Sequence, residues 1–268
     1  MTLPVDIVIT RHGEAEHNVA NKKSYHGDHS LFTDEFCARH PSQWRLTNLG
    51  RVQSESAGAW IKENIARAFD RYYVSSHVRT CETAGLMLMP NAQWYKTFML
   101  REREWGPMEG ISWEERRAHY ADEIRRRKQH PFYWRPPGGE SMADVCLRVD
   151  RVVQTMHREC EGQKVLIVCH GETMAAFRFV LERMDPEVYK RIALERDPKE
   201  RMNNCQVVHY TRRNPETGEI DPYIKWRRSV CPWDEKLLPG VWEPVKRQRY
   251  SNSDLLRGAQ RVPMMISE

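Results

Sequence analysis

The chain has 268 residues, 40% hydrophobic and 29% charged, a balance that supports a packed core and excludes wholesale disorder. Lys+Arg 42 against Asp+Glu 37 give a net charge of +5, which suits anionic small molecules as well as nucleic acid and does not separate them. The longest apolar run, residues 165–169, is strand-sized and far short of the roughly 20 residues that span a bilayer.

The N-terminus has neither the positive n-region nor the apolar h-region of a secretory signal. Seven cysteines (Cys37, Cys81, Cys146, Cys160, Cys169, Cys205, Cys231) are scattered without a CxxC pair. No disulfide framework, structural zinc or other metal is therefore expected, and a reducing cytoplasm is the expected location.

In chain order, residues 5–10 (VDIVIT) read as a strand that stops at Arg11-His12-Gly13. Residues 21–46 lack a clear period and read as a long loop. A helical pattern starts at Thr47 and carries Leu49, Val52, Ala59 and Trp60. Residues 72–76 form a second strand, followed by a helix over 80–89 that Pro90 stops. Residues 113–130, rich in interleaved Arg and Glu, predict a solvated helix. Pro131, Pro136, Pro137, Gly138 and Gly139 then break regular structure. Ser141 is a good N-cap with Asp144 three residues on, and Val145, Val149, Val152 and Met156 form one apolar stripe. Residues 165–169 (VLIVC) suit a strand buried on both faces that ends at His170-Gly171; Cys169 within it reads as a small core residue rather than a nucleophile. Residues 206–211 and 221–226 predict a hairpin around 214–218. Beyond Pro232 the chain is rich in Pro, Trp and Arg.

Strands alternate with helices, which predicts an α/β fold with a mostly parallel sheet. Ligands of such sheets sit beyond the carboxyl ends of the strands. Three predicted strands end there in chemistry: Arg11-His12, the 75–79 segment with His77 and Arg79, and His170. A single histidine at a strand end is commonly a satisfied polar residue or a metal ligand. Two histidines with two arginines make a cationic pocket instead. Arginine forks match phosphate oxygens, and a neutral imidazole attacks phosphorus. A nearby carboxylic acid then protonates the leaving alkoxide.

These residues carry a family resemblance. Arg11-His12-Gly13-Glu14 with Asn18 resembles the first motif of the histidine phosphatase superfamily, phosphoglycerate mutase-like branch. Further segments follow in the family's order: Leu46-Thr47 with Gly50 and Gln53 ("LTxxGxxQ"), Ser75 to Arg79 with Thr83-Ala84 ("SxxxRxxxTA"), Leu100 to Gly110 with Glu102, Glu109 ("LxExxxGxxEG"), Pro137 to Ser141 ("PGGES"), and the second histidine motif at His170-Gly171. The likeness covers about residues 5–210. It implies a three-layer α/β sandwich whose mostly parallel central sheet is flanked by helices, with insertions 21–45 and 111–137 over the active site. From the hairpin and the Pro-, Trp- and Arg-rich stretch beyond it, a domain over 1–226 is expected, with 227–268 an extension packed on it or partly mobile.

The resemblance also implies roles. His12 would be the nucleophile; Arg11, Arg79 and His170 would bind and polarise phosphate; Glu102 would be the acid for the leaving group and the base for water. Asn18 matches a position near phosphate, though it serves equally as a helix cap. Glu104 and Trp105 would be weaker substrate contacts, and Glu140 and Ser141 a helix start first. Ala15 stands where the mutase branch carries serine, and Glu104-Trp105 where it carries His-Tyr. These departures favour metal-independent, cofactor-free hydrolysis of a small anionic phosphate monoester over phosphoglycerate mutase-like transfer. Trp44, Trp105, Trp113 and Trp134 suit a ring-bearing substrate. A catalytically idle phosphate-recognising scaffold is the third reading. Nucleic-acid binding, suggested by Arg227, Arg228, Lys246, Arg247 and Arg249 among Trp226, Trp233 and Trp242, is not expected, because a basic face over aromatic packing accounts for the pattern. No membrane contact is expected, and a homodimer through the 206–226 hairpin stays an alternative.

Overall fold

The computed structural model describes residues 2–194 and 202–266. Seven strands, β1 Asp6–Arg11, β2 Arg71–Ser75, β3 Trp94–Thr97, β4 Lys164–Cys169, β5 Val207–Thr211, β6 Trp226–Val230 and β7 Glu243–Pro244, form one sheet. Their order is β3-β2-β4-β1-β5-β6-β7. The first four run parallel and β5 to β7 antiparallel. The helices are α1 Glu16–Tyr25, α2 Asp34–Ala38, α3 Asn48–Asn64, α4 Val78–Leu86, α5 Trp113–His119, α6 Ala121–Gln129, α7 Met142–Glu159, α8 Gly171–Glu182, α9 Pro186–Leu194 and α10 Asn252–Ala259.

Side chains of a strand alternate between the two faces of its sheet, and here the alternation builds two cores. Ile7, Ile9, Val165 and Ile167 pack with Val145, Val149 and Met156 of α7 and Phe177 of α8. Val8, Leu166 and Val168 pack with Ile61 of α3 and Ala84 of α4. Helices thus cover both faces of a mostly parallel sheet, as the sequence predicts. β4 lies between β1 and β2, which is why residues 165–169 are apolar throughout. Ser141 caps α7 in a capping box with Asp144.

The structure departs from the sequence reading in several places. Part of the predicted 21–46 loop is helical, in α1 and α2. Helix α1 has no apolar stripe to betray it; its Ser24 hydroxyl instead accepts the Trp113 N–H that opens α5 (2.7 Å). The predicted 113–130 helix is two helices that meet at Tyr120. The second hairpin strand is shifted to Trp226–Val230, because Thr211 pairs with Trp226 and leaves 212–225 as the connection. The sheet therefore continues past position 226, and β7 of the extension adds to it. Strand β3, with Tyr95 exposed on the sheet edge, has no place in the sequence reading.

Candidate active site

Strands β1, β4 and β2 end side by side, with Arg11 level with Cys169 and Val74 level with Val168. Their carboxyl ends bring together His12, His170 and Ser75, and the first turn of α4 adds Arg79. The His12 and His170 rings lie 5.2 Å apart, and His77 lies 4.7 Å from His170. Cys169 stays in the core, where burial pushes its thiol pKa up.

Two of the family-like segments brace one loop, residues 12–15. The Gly13 N–H donates to Thr83 Oγ1 (3.1 Å) and the Glu14 N–H to Gln53 Oε1 (2.8 Å). The Thr47 hydroxyl donates to Glu14 Oε1 (2.9 Å). Helix α3 approaches this loop so closely that a Cβ on Gly50 would lie 1.9 Å from the Glu14 carbonyl oxygen. That contact is backbone on backbone and cannot be relieved by a rotamer. Gly50→Ala is therefore expected to cost about 1–3 kcal/mol, as overpacking does. In a thermal melt this lowers Tm by about 2–4 °C per kcal/mol, and an unchanged Tm would show that the loop can yield.

His12 Nδ1 lies 2.7 Å from the Gly13 carbonyl oxygen. A carbonyl only accepts, so Nδ1 carries the proton and Nε2 presents a lone pair. The Arg79 Nε–H donates to that lone pair at 3.3 Å. Burial first, then the Arg79 and Arg11 charges, hold the His12 pKa well below its ordinary value. The ring is buried, 1% exposed. His170 is anchored through Nε2 to Ser75 Oγ (2.8 Å) and is likewise held uncharged, chiefly by burial. Its Nδ1 and Arg11 Nε are buried without a hydrogen-bond partner among the described residues. Burial lowers the Arg79 pKa to about 10, which leaves it charged at neutral pH. Glu102 takes the Arg103 N–H on Oε1 (3.0 Å) and the Glu172 N–H on Oε2 (3.4 Å). Burial and the nearby Glu172 charge raise its pKa.

A cleft of about 690 Å³ opens beside these groups, lined among others by Arg11, Asn18, Glu102, Lys22, Arg127 and Trp233. Both insertions contribute. The Pro41 carbonyl accepts from Arg79 Nη1 (2.7 Å), and α6 supplies Arg127. Lys22 and Arg127 have no carboxylate partner among the described residues; Arg127 rests on the Trp105 ring, 4.8 Å from its centroid.

Of the predicted site residues, Arg11, His12, Arg79, Glu102 and His170 come together. Asn18 reaches the cleft and also caps α1, its Oδ1 accepting the Ala15 N–H (3.0 Å). Glu104 is not brought in: it is exposed and pairs with Arg101 (2.8 Å), because the 102–105 stretch turns it outward. Trp105 packs between Arg103 and Arg127 rather than over the phosphate end. Glu140 is a half-buried partner of Arg101 and Arg148. Sequence reasoning missed His17, Glu109 and Trp233. Glu109, whose pKa burial pushes up to about 7, stands in the family-like 100–110 segment and was legible there. His17 carried no motif signal, and Trp233 was read only as part of the basic and aromatic face of the extension; of the tryptophans, it is Trp233 that lines the cleft, not Trp44, Trp105, Trp113 or Trp134.

The family described as histidine phosphatase superfamily, branch 1, matches residues 7–215. The chain belongs to the histidine phosphatase superfamily. It is 30% identical over 185 residues to a 2,3-bisphosphoglycerate-dependent phosphoglycerate mutase of Methylobacterium radiotolerans, covering 66% of this chain and 78% of that one. It is 29% identical over 190 residues to the enzyme of that name from Rhizobium etli, covering 68% and 81%. Among solved structures it is similar to a mycobacterial glucosyl-3-phosphoglycerate phosphatase (TM-score 0.57, 22% identity, 82% of this chain and 96% of that one). It is also similar to the alpha-ribazole phosphatase of Shigella flexneri (TM-score 0.61, 18% identity, 81% and 95%). These structural likenesses establish the fold. No helix among the described residues is long and apolar enough to cross a membrane.

Proposed function

We propose that the chain hydrolyses small anionic phosphate monoesters through a phosphohistidine on His12. The observation that carries this reading is the state of that ring: uncharged, with the proton tied to the Gly13 carbonyl and the lone pair at Nε2 beside Arg79. In the first step Nε2 attacks phosphorus, the P–O ester bond breaks, and the Glu102 carboxyl gives its proton to the leaving oxygen. In the second, water attacks the phosphohistidine, Glu102 takes the water's proton, and His12 is released with inorganic phosphate. Arg11, Arg79 and His170 stabilise charge on the non-bridging oxygens in both. Asn18 faces the same cleft, and Lys22 and Arg127 at its mouth suit an anionic substrate.

Two features support hydrolysis over transfer between phosphoglycerates. Ala15 is a fully buried methyl and offers a substrate no hydroxyl. Glu104 faces away from the cleft in its ion pair with Arg101. The mutase reading draws on relatives that carry that name at 29–30% identity. Incubation with 3-phosphoglycerate and a panel of monoesters separates the two. A hydrolase releases inorganic phosphate; conversion to 2-phosphoglycerate without release would establish the mutase, and neither product would favour the idle scaffold.

A further inference from the structure

His17 is a second imidazole at the nucleophile, its ring 5.7 Å from that of His12, and the hydrogen bonds around it determine where its proton sits. Asn18 Oδ1 accepts from the Ala15 N–H (3.0 Å) and from Asn204 Nδ2 (3.3 Å). The oxygen of that amide is thereby identified, and its NH₂ must be the group 3.1 Å from His17 Nε2. An amide nitrogen only donates, so Nε2 accepts. The uncharged ring then carries its proton on Nδ1, and burial, with Arg79 and Arg11 next, keeps the ring uncharged. That Nδ1 is buried and has no hydrogen-bond partner among the described residues. A buried donor left unpaired is costly and uncommon in a native protein.

The ring plane is held from the other side. It stacks on Trp44 (5.1 Å, 16°), and Trp44 stacks in turn on Phe36 (5.2 Å, 10°). Trp44 is almost wholly buried, at 2% exposure. Both aromatics belong to the 21–45 insertion, so the insertion braces a histidine of α1 beside His12. Neither the Trp44 stack nor the Asn18 bond gives the Nδ1–H an acceptor.

We infer that the His17 Nδ1–H donates to a non-bridging oxygen of the phosphoryl group held at His12, making His17 a phosphate-binding residue alongside Arg11, Arg79 and His170. This inference rests on the phosphate-binding part of the proposed function, but not on turnover. The 21–45 insertion thereby serves to present a neutral donor, one that adds no charge to a pocket already crowded with arginines.

The test uses two replacements in the full chain. His17→Phe keeps a ring against Trp44 and removes the donor. His17→Asn gives up the ring but places an amide N–H near the former Nδ1. Affinity for inorganic phosphate is read by titration calorimetry, and kcat and KM on p-nitrophenyl phosphate separately. His17→Phe is expected to weaken phosphate binding between about 10- and 100-fold, the range for one hydrogen bond to a charged group, while melting within a few degrees of the wild type. His17→Asn is expected to recover part of that loss. Wild-type phosphate affinity in His17→Phe would overturn the inference. So would equal weakening in both variants, which would mean that only the ring's shape matters. If the wild type binds phosphate and His17→Phe weakens it while no ester is hydrolysed, the hydrolase reading fails and this one stands.

Discussion

Replacing His12 with alanine is expected to lower kcat on p-nitrophenyl phosphate by about 10⁴-fold or more, the scale on which a covalent nucleophile is lost. The reason is local. The Gly13 carbonyl holds the Nδ1 proton, so the attacking lone pair has one direction, and Arg11 and Arg79 are already in place around it. The second imidazole, His170, is instead held through its Nε2 by Ser75. Rapid quench with ³²P-labelled substrate is expected to trap an acid-labile, base-stable phosphoenzyme in the wild type and none in His12→Ala. Substantial hydrolysis by the variant, or a phosphoenzyme that survives the substitution, would remove His12 from the role. An idle scaffold predicts no trapped phosphoenzyme in either protein.

Glu102→Gln is expected to divide substrates by leaving group. An alkoxide needs a proton as the P–O bond breaks, and loss of a general acid costs about 10²- to 10⁴-fold. A p-nitrophenolate leaves without one, so its pre-steady-state burst is expected to change far less. The pH dependence follows from the directions of the two shifts. Glu102 acts first as an acid and must be protonated; its raised pKa keeps it so to higher pH than an ordinary carboxyl, and the rate falls as pH rises through that pKa. His12 must be neutral; its lowered pKa keeps it so well below 6.5. The wild-type kcat/KM profile for an alkyl phosphate, which reports the phosphorylation step alone, is thus expected to hold on the acid side and fall on the alkaline side, with that alkaline limb missing in Glu102→Gln. Equal loss for both leaving groups would assign the acid elsewhere. Glu109, with its pKa pushed up to about 7 by burial, is the next carboxyl to replace.

Much of the central layer was legible because its physics is local. Residues 165–169 are apolar at every position, which only a strand with neighbours on both sides and helices on both faces requires, and β4 has both. The α7 stripe and its Ser141 cap were legible for the same reason. Helix α1 was not, because its sequence carries no apolar face, and Asn18 rather than residue 15 supplies its cap. The outward turn of Glu104 was not legible either: side-chain direction in an irregular stretch depends on what lies across from it, here Arg101 and Glu140.

By itself the sequence determined which residues are chemically able to act, since the order of strand, imidazole and arginine is written in covalent connectivity and in the alternation that sheets demand. It also determined the family, through short segments in a fixed order, two of which brace the 12–15 loop with Thr47, Gly50, Gln53 and Thr83. Only the tertiary structure decided which groups share a space: that His17 stands next to His12 on a Trp44 stack, that Arg127 of one insertion and Trp233 of the extension form walls of one cleft, and that Glu104 does not. These are contacts between residues far apart in the chain, and their geometry comes from packing, which no local pattern of residues encodes.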